Sequence, residues 1–373
     1  MRRELRDSSE PDESPLRARR EQGGALKKGA IALRLPRPIW TKHLMGAALL
    51  VTHPACSQHD PGPDHSEAPG RLSALYDAVR GDVTLWAALC EVQGVPCEEE
   101  DLLRVHTPEH VARVRASAQD AAREGRLVWL DADTAVGGAS FDAALAAAGC
   151  AFDAAKRALD GAASFALSRP PGHHATRNRA MGFCLFNNVA IAVRRLQAEG
   201  RVRDVLVVDW DAHHANGTQE IFYEDPSVYL VSLHLGRDYP GTGNPSQRGA
   251  GLGRGRTRNV PMPHGTGSAE YRRRYQRALE AALASFSPEL VIISAGFDLL
   301  AGDPEGGFLL EPRDLHSLTT DLLERLPSCT RGVAAILEGG YAVGRIGVGL
   351  VEVLRALAGL PSVSSGASNN AKT

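Results

Sequence analysis

The chain has 373 residues, 43% of them apolar, which is enough to bury one large α/β core, and its 42 basic and 44 acidic residues leave a net charge of -2. That balance excludes an electrostatic footprint for nucleic acid or an anionic membrane surface, and the longest apolar runs fall far short of the ~20 residues that a membrane-spanning helix needs. Six cysteines (Cys56, Cys90, Cys97, Cys150, Cys184 and Cys329) form no CxxC pair and no regular framework, which points to a reducing, cytoplasmic setting.

Residues 1–44 are rich in Arg, Lys, Glu, Ser and Gly without sustained apolar periodicity, so they read as a disordered N-terminal extension. One folded domain is expected over 45–360, with a small, polar, disordered tail over 361–373. Met45 is the expected natural start, because MGAALLVTHPA leads straight into a first strand over Ala47 to Thr52. Helical spacing of apolar residues then predicts helices near Arg71 to Val79, Pro108 to Ala118, Phe141 to Leu159, Val189 to Gln197, Ala269 to Ala284, Arg313 to Leu326 and Val348 to Leu357. Ser140 and Ser268 are the expected N-caps of two of them. Apolar runs at 162–167, 205–209, 228–233, 290–294 and 333–337 lack polar alternation, which is the pattern of parallel strands covered on both faces. The expected fold is therefore α/β, a three-layer α/β/α sandwich around a mainly parallel central sheet. RGAGLGRGRTR, at 248 to 258, follows no strand and opens no phosphate-facing helix, so it reads as a mobile loop rather than a nucleotide or RNA site.

Four segments place acid-base or metal-ligand residues just after predicted strands, where loops leaving an open α/β sheet share one crevice. They are SRPPGHHAT, VLVVDWDAHHANGTQ, LVIISAGFDLLAGDPEGG and AAILEGGY. Residues two apart on an extended strand end project to one side, so Asp211 and His213 can grip one ion with Asp209 in the same row. Asp298, after the flexible Gly296, is the natural third ligand, and three protein ligands leave the open position of a catalytic site. His173 and His174 follow a rigid Pro-Pro-Gly turn and can divide acid-base work if Asp209 keeps one more basic and Asn216 leaves the other less so. Tyr341, after two glycines, offers a phenol to a developing oxyanion. Trp210 reads as a packing residue.

These segments, together with THPACSQHDPGPDHSEAPGRL (52–72), MGFCLFNN and SLHLGRDYPGTG (232–243), resemble the histone deacetylase superfamily. That superfamily also includes acetoin-utilisation proteins and acetylpolyamine amidohydrolases, and the resemblance is to its class II-like branch. The resemblance covers Leu49 to about Leu357 and implies an arginase-like fold and a deacetylase catalytic domain. It implies one zinc ion per chain held by Asp211, His213 and Asp298, and an acid-base pair of His173 and His174 partnered by Asp209 and Asn216, with Tyr341 as oxyanion donor. Phe183, Gly182 and Tyr239 match a tunnel around an acyl-amine stem, Asp133 a rim carboxylate, and Arg71 the arginine of an acetate channel. Potassium sites are implied at Asp209, Asp211, His213, Ser232 and Leu233, and at Phe222, Asp225 and Val228. Two departures stand out: Leu299 and Leu300 are expected to make the mouth more apolar, and Glu305 resembles the gatekeeper of polyamine-selective members. The implied substrate is an acetylated lysine or an acetylated polyamine, with no direct nucleic-acid or membrane partner; a homo-oligomer stays open. Two alternatives accompany this reading, a dimanganese ureohydrolase of the same fold and a non-catalytic acyl-lysine binder.

Overall fold

The computed structural model describes residues 48–363, so the expectations for 1–44, for Met45 and for 364–373 lie outside the described residues. Ten strands are formed: β1 (Ala48–Thr52), β2 (Leu89–Gln93), β3 (Val128–Trp129), β4 (Ala135–Val136), β5 (Ser164–Ala166), β6 (Val205–Asp209), β7 (Val228–Leu235), β8 (Thr257–Met262), β9 (Leu290–Ala295) and β10 (Gly332–Leu337). Eight of them make one sheet in the order β2-β1-β5-β10-β9-β6-β7-β8, with every pairing parallel, while β3 and β4 form a separate antiparallel ribbon. The three-layer expectation therefore holds.

Strand residues alternate between two apolar cores, one on each face. Leu206, Val208, Val291, Ile293, Val333 and Ala335 pack toward the helices Gly70–Gly81, Ser268–Leu283, Pro312–Arg325 and Val343–Leu357. Val205, Val207, Leu290, Ile292, Ala334 and Ile336 pack toward Pro108–Glu124, Ser140–Leu159 and Asn188–Ala198. Burial on both faces is why these strands read as unbroken apolar runs.

Several local expectations are corrected. Neither serine is a cap: Ala139 and Gly267 occupy the cap positions without a side-chain hydrogen bond. Ser140 Oγ instead accepts the Gly137 amide (2.8 Å) and lies 2.8 Å from His59 Nδ1, and the Ser268 hydroxyl bonds to Asp314. The last helix begins at Val343, a turn before its expected start. Thr257 and Arg258, read as the end of a loop, already belong to edge strand β8. Trp210 is fully buried, its indole N–H donating to Gly296 O (3.1 Å), as a packing residue should be.

Candidate metal and acid-base site

Because the sheet is parallel, β5, β6, β9 and β10 deliver their following loops to one end of the molecule, near its middle. β6 stops at Asp209, so Asp211 and His213 stand in the loop beyond it and their shared side comes from the turn rather than from strand alternation. The turn is fixed internally, because Asp209 Oδ1 accepts the Asp211 amide (3.1 Å) and Asp211 Oδ1 accepts the His213 amide (2.9 Å). From the neighbouring strand, Asp298 Oδ1 accepts the Ala212 amide (2.7 Å), which ties the loop after β9 to the loop after β6.

One ligand atom from each of Asp211, His213 and Asp298 lies within 4.8 Å of the others. His213 Nδ1 is 3.1 Å from Asp211 Oδ1 and 3.3 Å from Asp298 Oδ2. Asp298 Oδ2 is nonetheless buried without a hydrogen-bond partner among the described residues, a costly condition for a carboxylate oxygen unless something else satisfies it. Gly339 makes the space: a Cβ there would stand 2.3 Å from Asp298 Oδ2 and 2.6 Å from Asp211 Oδ2. Two carboxylates and one imidazole, with an unsatisfied oxygen facing inward, fit a borderline divalent cation. Burial, followed by the like charge of Asp211, pushes the Asp298 carboxyl up to about 7.

The two histidines of the Pro-Pro-Gly turn are adjacent yet electrostatically opposite. His173 Nδ1 is 3.1 Å from Asp209 Oδ2, and its Nε2 is 3.7 Å from Asp211 Oδ1. Burial disfavours its charge, but Asp211 and Asp209 prevail and raise it to about 10. His174 Nδ1 is 2.7 Å from Asn216 Oδ1. Burial and then the charge of His173 hold His174 well below the usual range, so it is neutral. The bonded amide oxygen only accepts, so Nδ1 carries the proton and Nε2 keeps the free lone pair.

A cleft of about 400 Å³ leads to this centre, lined by Gly182, Phe183, Tyr239 and Tyr341 along its wall and by Asp133 and Glu305 at its mouth. Gly182 has φ +56, and a Cβ there would meet the His174 ring at 2.5 Å, so only glycine fits. Phe183 is edge-on to Tyr341 (5.6 Å between centroids), and Tyr239 is edge-on to His174 (5.0 Å). Asp133 Oδ1 accepts the Gly182 amide (3.1 Å) and is thereby anchored at the rim. Glu305 is exposed and accepts a hydrogen bond from Ser66 Oγ (2.5 Å). Leu299 and Leu300 are both fully buried in the core, which corrects the expectation of an apolar mouth. Arg71 is fully buried behind Tyr341, its guanidinium 4.8 Å from the ring centre, and bonds Glu67 Oε1 (2.9 Å) and Gly340 O (2.6 Å).

Ser232 is one strand over, opposite Asp209, with its hydroxyl accepting the Ala215 amide (3.3 Å), and Leu233 follows it in β7. Phe222, Asp225 and Val228 stand apart from the centre, where Asp225 is engaged by Arg194 Nη1 (2.5 Å) and Ser227. The structure adds residues that sequence reasoning missed. Asp64, His65, Trp129 and Asp238 line the mouth, Asp303 Oδ2 accepts the Tyr341 amide (2.6 Å), and Glu338 lies beneath the histidine turn. All of them come from irregular loops or the β3–β4 ribbon, which carry no periodic signal.

A family model described as the histone deacetylase domain matches residues 65–357. Among curated proteins, the chain is 36% identical over 298 residues to a probable deacetylase of Archaeoglobus fulgidus, covering 79% of this chain and 81% of that protein. It is 32% identical over 331 residues to the chloroplastic histone deacetylase 14 of Arabidopsis thaliana, covering 86% and 76%. Among solved structures it is similar to the crystal structure of the HDA15 HD domain, with a TM-score of 0.78 and 37% identity over 85% of this chain and 91% of that one.

Proposed function

The chain belongs to the histone deacetylase superfamily, and on that premise we propose that it is a zinc-dependent amidohydrolase releasing acetate from an acetylated amine. The observation that carries this reading is the pairing of a charged His173 with a neutral His174 beside a three-ligand cluster with an unsatisfied carboxylate oxygen. Asp211, His213 and Asp298 would hold the ion. When bound, zinc supplies a Lewis acid that polarises the amide carbonyl and lowers the pKa of water toward about 7.

His174, neutral and with Nε2 free, accepts the proton of the attacking water and returns it to the leaving nitrogen. His173 stays charged on Asp209 and places positive potential beside the carbonyl as negative charge grows there. Tyr341 donates a hydrogen bond from its phenol to the developing oxyanion; burial raises its pKa, so the O–H is kept at neutral pH. Phe183 and Tyr239 sheathe an extended apolar stem and exclude water from the reacting bond. A potassium ion held by Asp209, Asp211, His213, Ser232 and Leu233 belongs to the same proposal. A second at Phe222, Asp225 and Val228 draws less support, since Arg194 already occupies Asp225.

At the mouth stand four carboxylates, Asp64, Asp133, Asp238 and Glu305, and among the described residues no Lys or Arg lines the cleft. Such a field attracts a substrate with a distal positive charge, which favours acetylated polyamines over neutral acetyl-lysine peptides. A two-metal ureohydrolase is less well supported: among the described residues the two clusters of possible ligands, Asp211, His213 and Asp298, and His173, Cys184 and Glu338, share no carboxylate that would bridge two ions. The test is acetate release from an acetyl-lysine peptide and from acetylated polyamines, measured side by side. Turnover abolished by a chelator and restored by one equivalent of zinc supports the reading; turnover on neither substrate, or turnover indifferent to chelation, overturns it.

A further inference from the structure

Glu338 follows β10 directly and is fully buried, yet the reaction just described gives it no part. Its Oε2 accepts two backbone protons of the histidine turn, those of Gly172 (2.7 Å) and His173 (3.1 Å). The carbonyls of the same turn are held from elsewhere. Pro170 O accepts from Asn188 Nδ2 (3.0 Å), and His173 O accepts from the amides of Gly217 and Thr218 (3.1 and 3.2 Å). Only Glu338, among the described residues, holds these two amide protons.

Its own backbone is fixed on both sides. The Glu338 amide donates to Ala295 O (3.1 Å) on β9, and its carbonyl accepts from Arg71 Nη2 (2.8 Å). The carboxylate is therefore a short, rigid strut between the sheet and the turn. Resting on the reading of His173 and His174 as the acid-base pair, we propose that Glu338 is a positioning residue for that pair, acting through the two amide protons of Gly172 and His173.

Its second oxygen, Oε1, has no partner among the described residues, and neither does the hydroxyl of Ser294. By strand register Ser294 lies opposite both Ile336 on β10 and Asp209 on β6, so Glu338, two residues beyond Ile336, emerges on the same face as Asp209. The spare oxygen makes glutamine an informative replacement. In E338Q the amide oxygen can keep both backbone protons, while the new N–H group takes the place of Oε1, which serves no hydrogen bond among the described residues.

The experiment compares E338A and E338Q in the full, metal-loaded chain by backbone hydrogen exchange over 170–176 and by steady-state kinetics. In E338A the amides of Gly172 and His173 exchange at least about tenfold faster, a local opening. Its kcat falls about 100-fold while KM and bound metal stay near wild type, the cost of displacing a reacting group by the order of an ångström. E338Q recovers the slow exchange and most of the lost kcat. E338A with wild-type exchange or wild-type kcat overturns the proposal, as does an E338Q as slow as E338A, which would make charge rather than acceptance the agent. Should E338A fail to fold, E338D, which withdraws the acceptor by one methylene, takes its place in the comparison. Exchange is read without turnover, so a wild-type chain that releases no acetate defeats the deacetylase reading while the exchange data still decide whether Glu338 holds the turn.

Discussion

Replacing Tyr341 with phenylalanine separates the chemistry of the site from its architecture. The Tyr341 backbone is held by Asp303 Oδ2 on its own amide and on that of Ala342 (2.6 and 2.8 Å), its ring packs edge-on against Phe183, and Arg71 lies over its face. None of these contacts uses the hydroxyl, which has no hydrogen bond among the described residues. Its removal therefore leaves folding unchanged within about 0.5 kcal/mol. The loss during turnover is much larger, because a single oxyanion donor is typically worth about 100- to 1000-fold in kcat, roughly 3 to 4 kcal/mol. KM changes little, since the lost bond strengthens only as the oxyanion forms. Initial rates of acetate release, thermal melts and metal content on one preparation check all three expectations. A variant with wild-type kcat and full metal would refute the oxyanion role; a large fall in melting temperature would show instead that the hydroxyl supports the fold.

The remaining predictions concern metal, substrate and pH. Asp211→Asn and His213→Ala should each lose bound zinc and activity together, as measured by elemental analysis beside turnover, and stoichiometric zinc in either variant removes that residue from the ligand set. Glu305→Leu should lower kcat/KM for acetylated polyamines about tenfold, about 1.4 kcal/mol, while an acetyl-lysine peptide is unaffected, and equal loss on both substrates returns Glu305 to the ordinary surface charges. His59 and His106 are buried and neutral, with burial as the main cause holding them down to about 4 and about 3. The unfolded chain takes up their protons below about 6.5 and the native chain does not, so stability present at pH 7.5 is lost on acidification, at about 1.4 kcal/mol per pH unit per histidine. Melts of His106→Gln between pH 7.5 and 5 should show a shallower dependence than wild type, and parallel curves would exclude His106 as a contributor.

What the sequence made legible follows from how each element is buried. The six inner strands read correctly because both faces are covered, whereas edge strands β2 (LCEVQ) and β8 (TRNVPM) are partly exposed, mix charge and proline into their pattern, and were missed. The helix Asn216–Phe222 was missed as well, since it opens on Asn-Gly and has too few turns to show a period. Asp209, Asp211, His213, Asp298 and the two histidines were visible as polar residues at strand ends, and the family resemblance supplied the tunnel wall and rim. Asp64, Ser66 and Asp238 were not visible, because their convergence depends on loop paths with no local signature. Leu299 and Leu300 failed for a related reason: sequence placed them after a ligand, and only tertiary packing shows that they turn inward. Glu338 lay in plain sight in LEGGY, but a carboxylate whose work is to accept backbone protons resembles any other glutamate until the turn above it is placed.

Charge conservation ties these pieces together. The buried titratable groups around the centre include Glu67, Arg71, Arg169, His173, Asp209, Asp211, His213, Asp298 and Glu338. Five carboxylates stand against two arginines and two histidines, His173 and His213, that the carboxylates hold charged, which leaves the negative side in excess in a region where unbalanced charge is expensive. That excess surfaces at Asp298 and Glu338, the two carboxyls of the group that burial drives up to about 7. A divalent cation held by Asp211, His213 and Asp298 would take the place of the His213 proton and offset the remaining carboxylate charge, without asking His173 to give up its proton or His174 to gain one. The split between the two histidines and the affinity proposed for a doubly charged ion thus follow from one buried excess of carboxylates. A substitution that changes the count, such as Asp211→Asn, should disturb the acid-base pair as well as the metal.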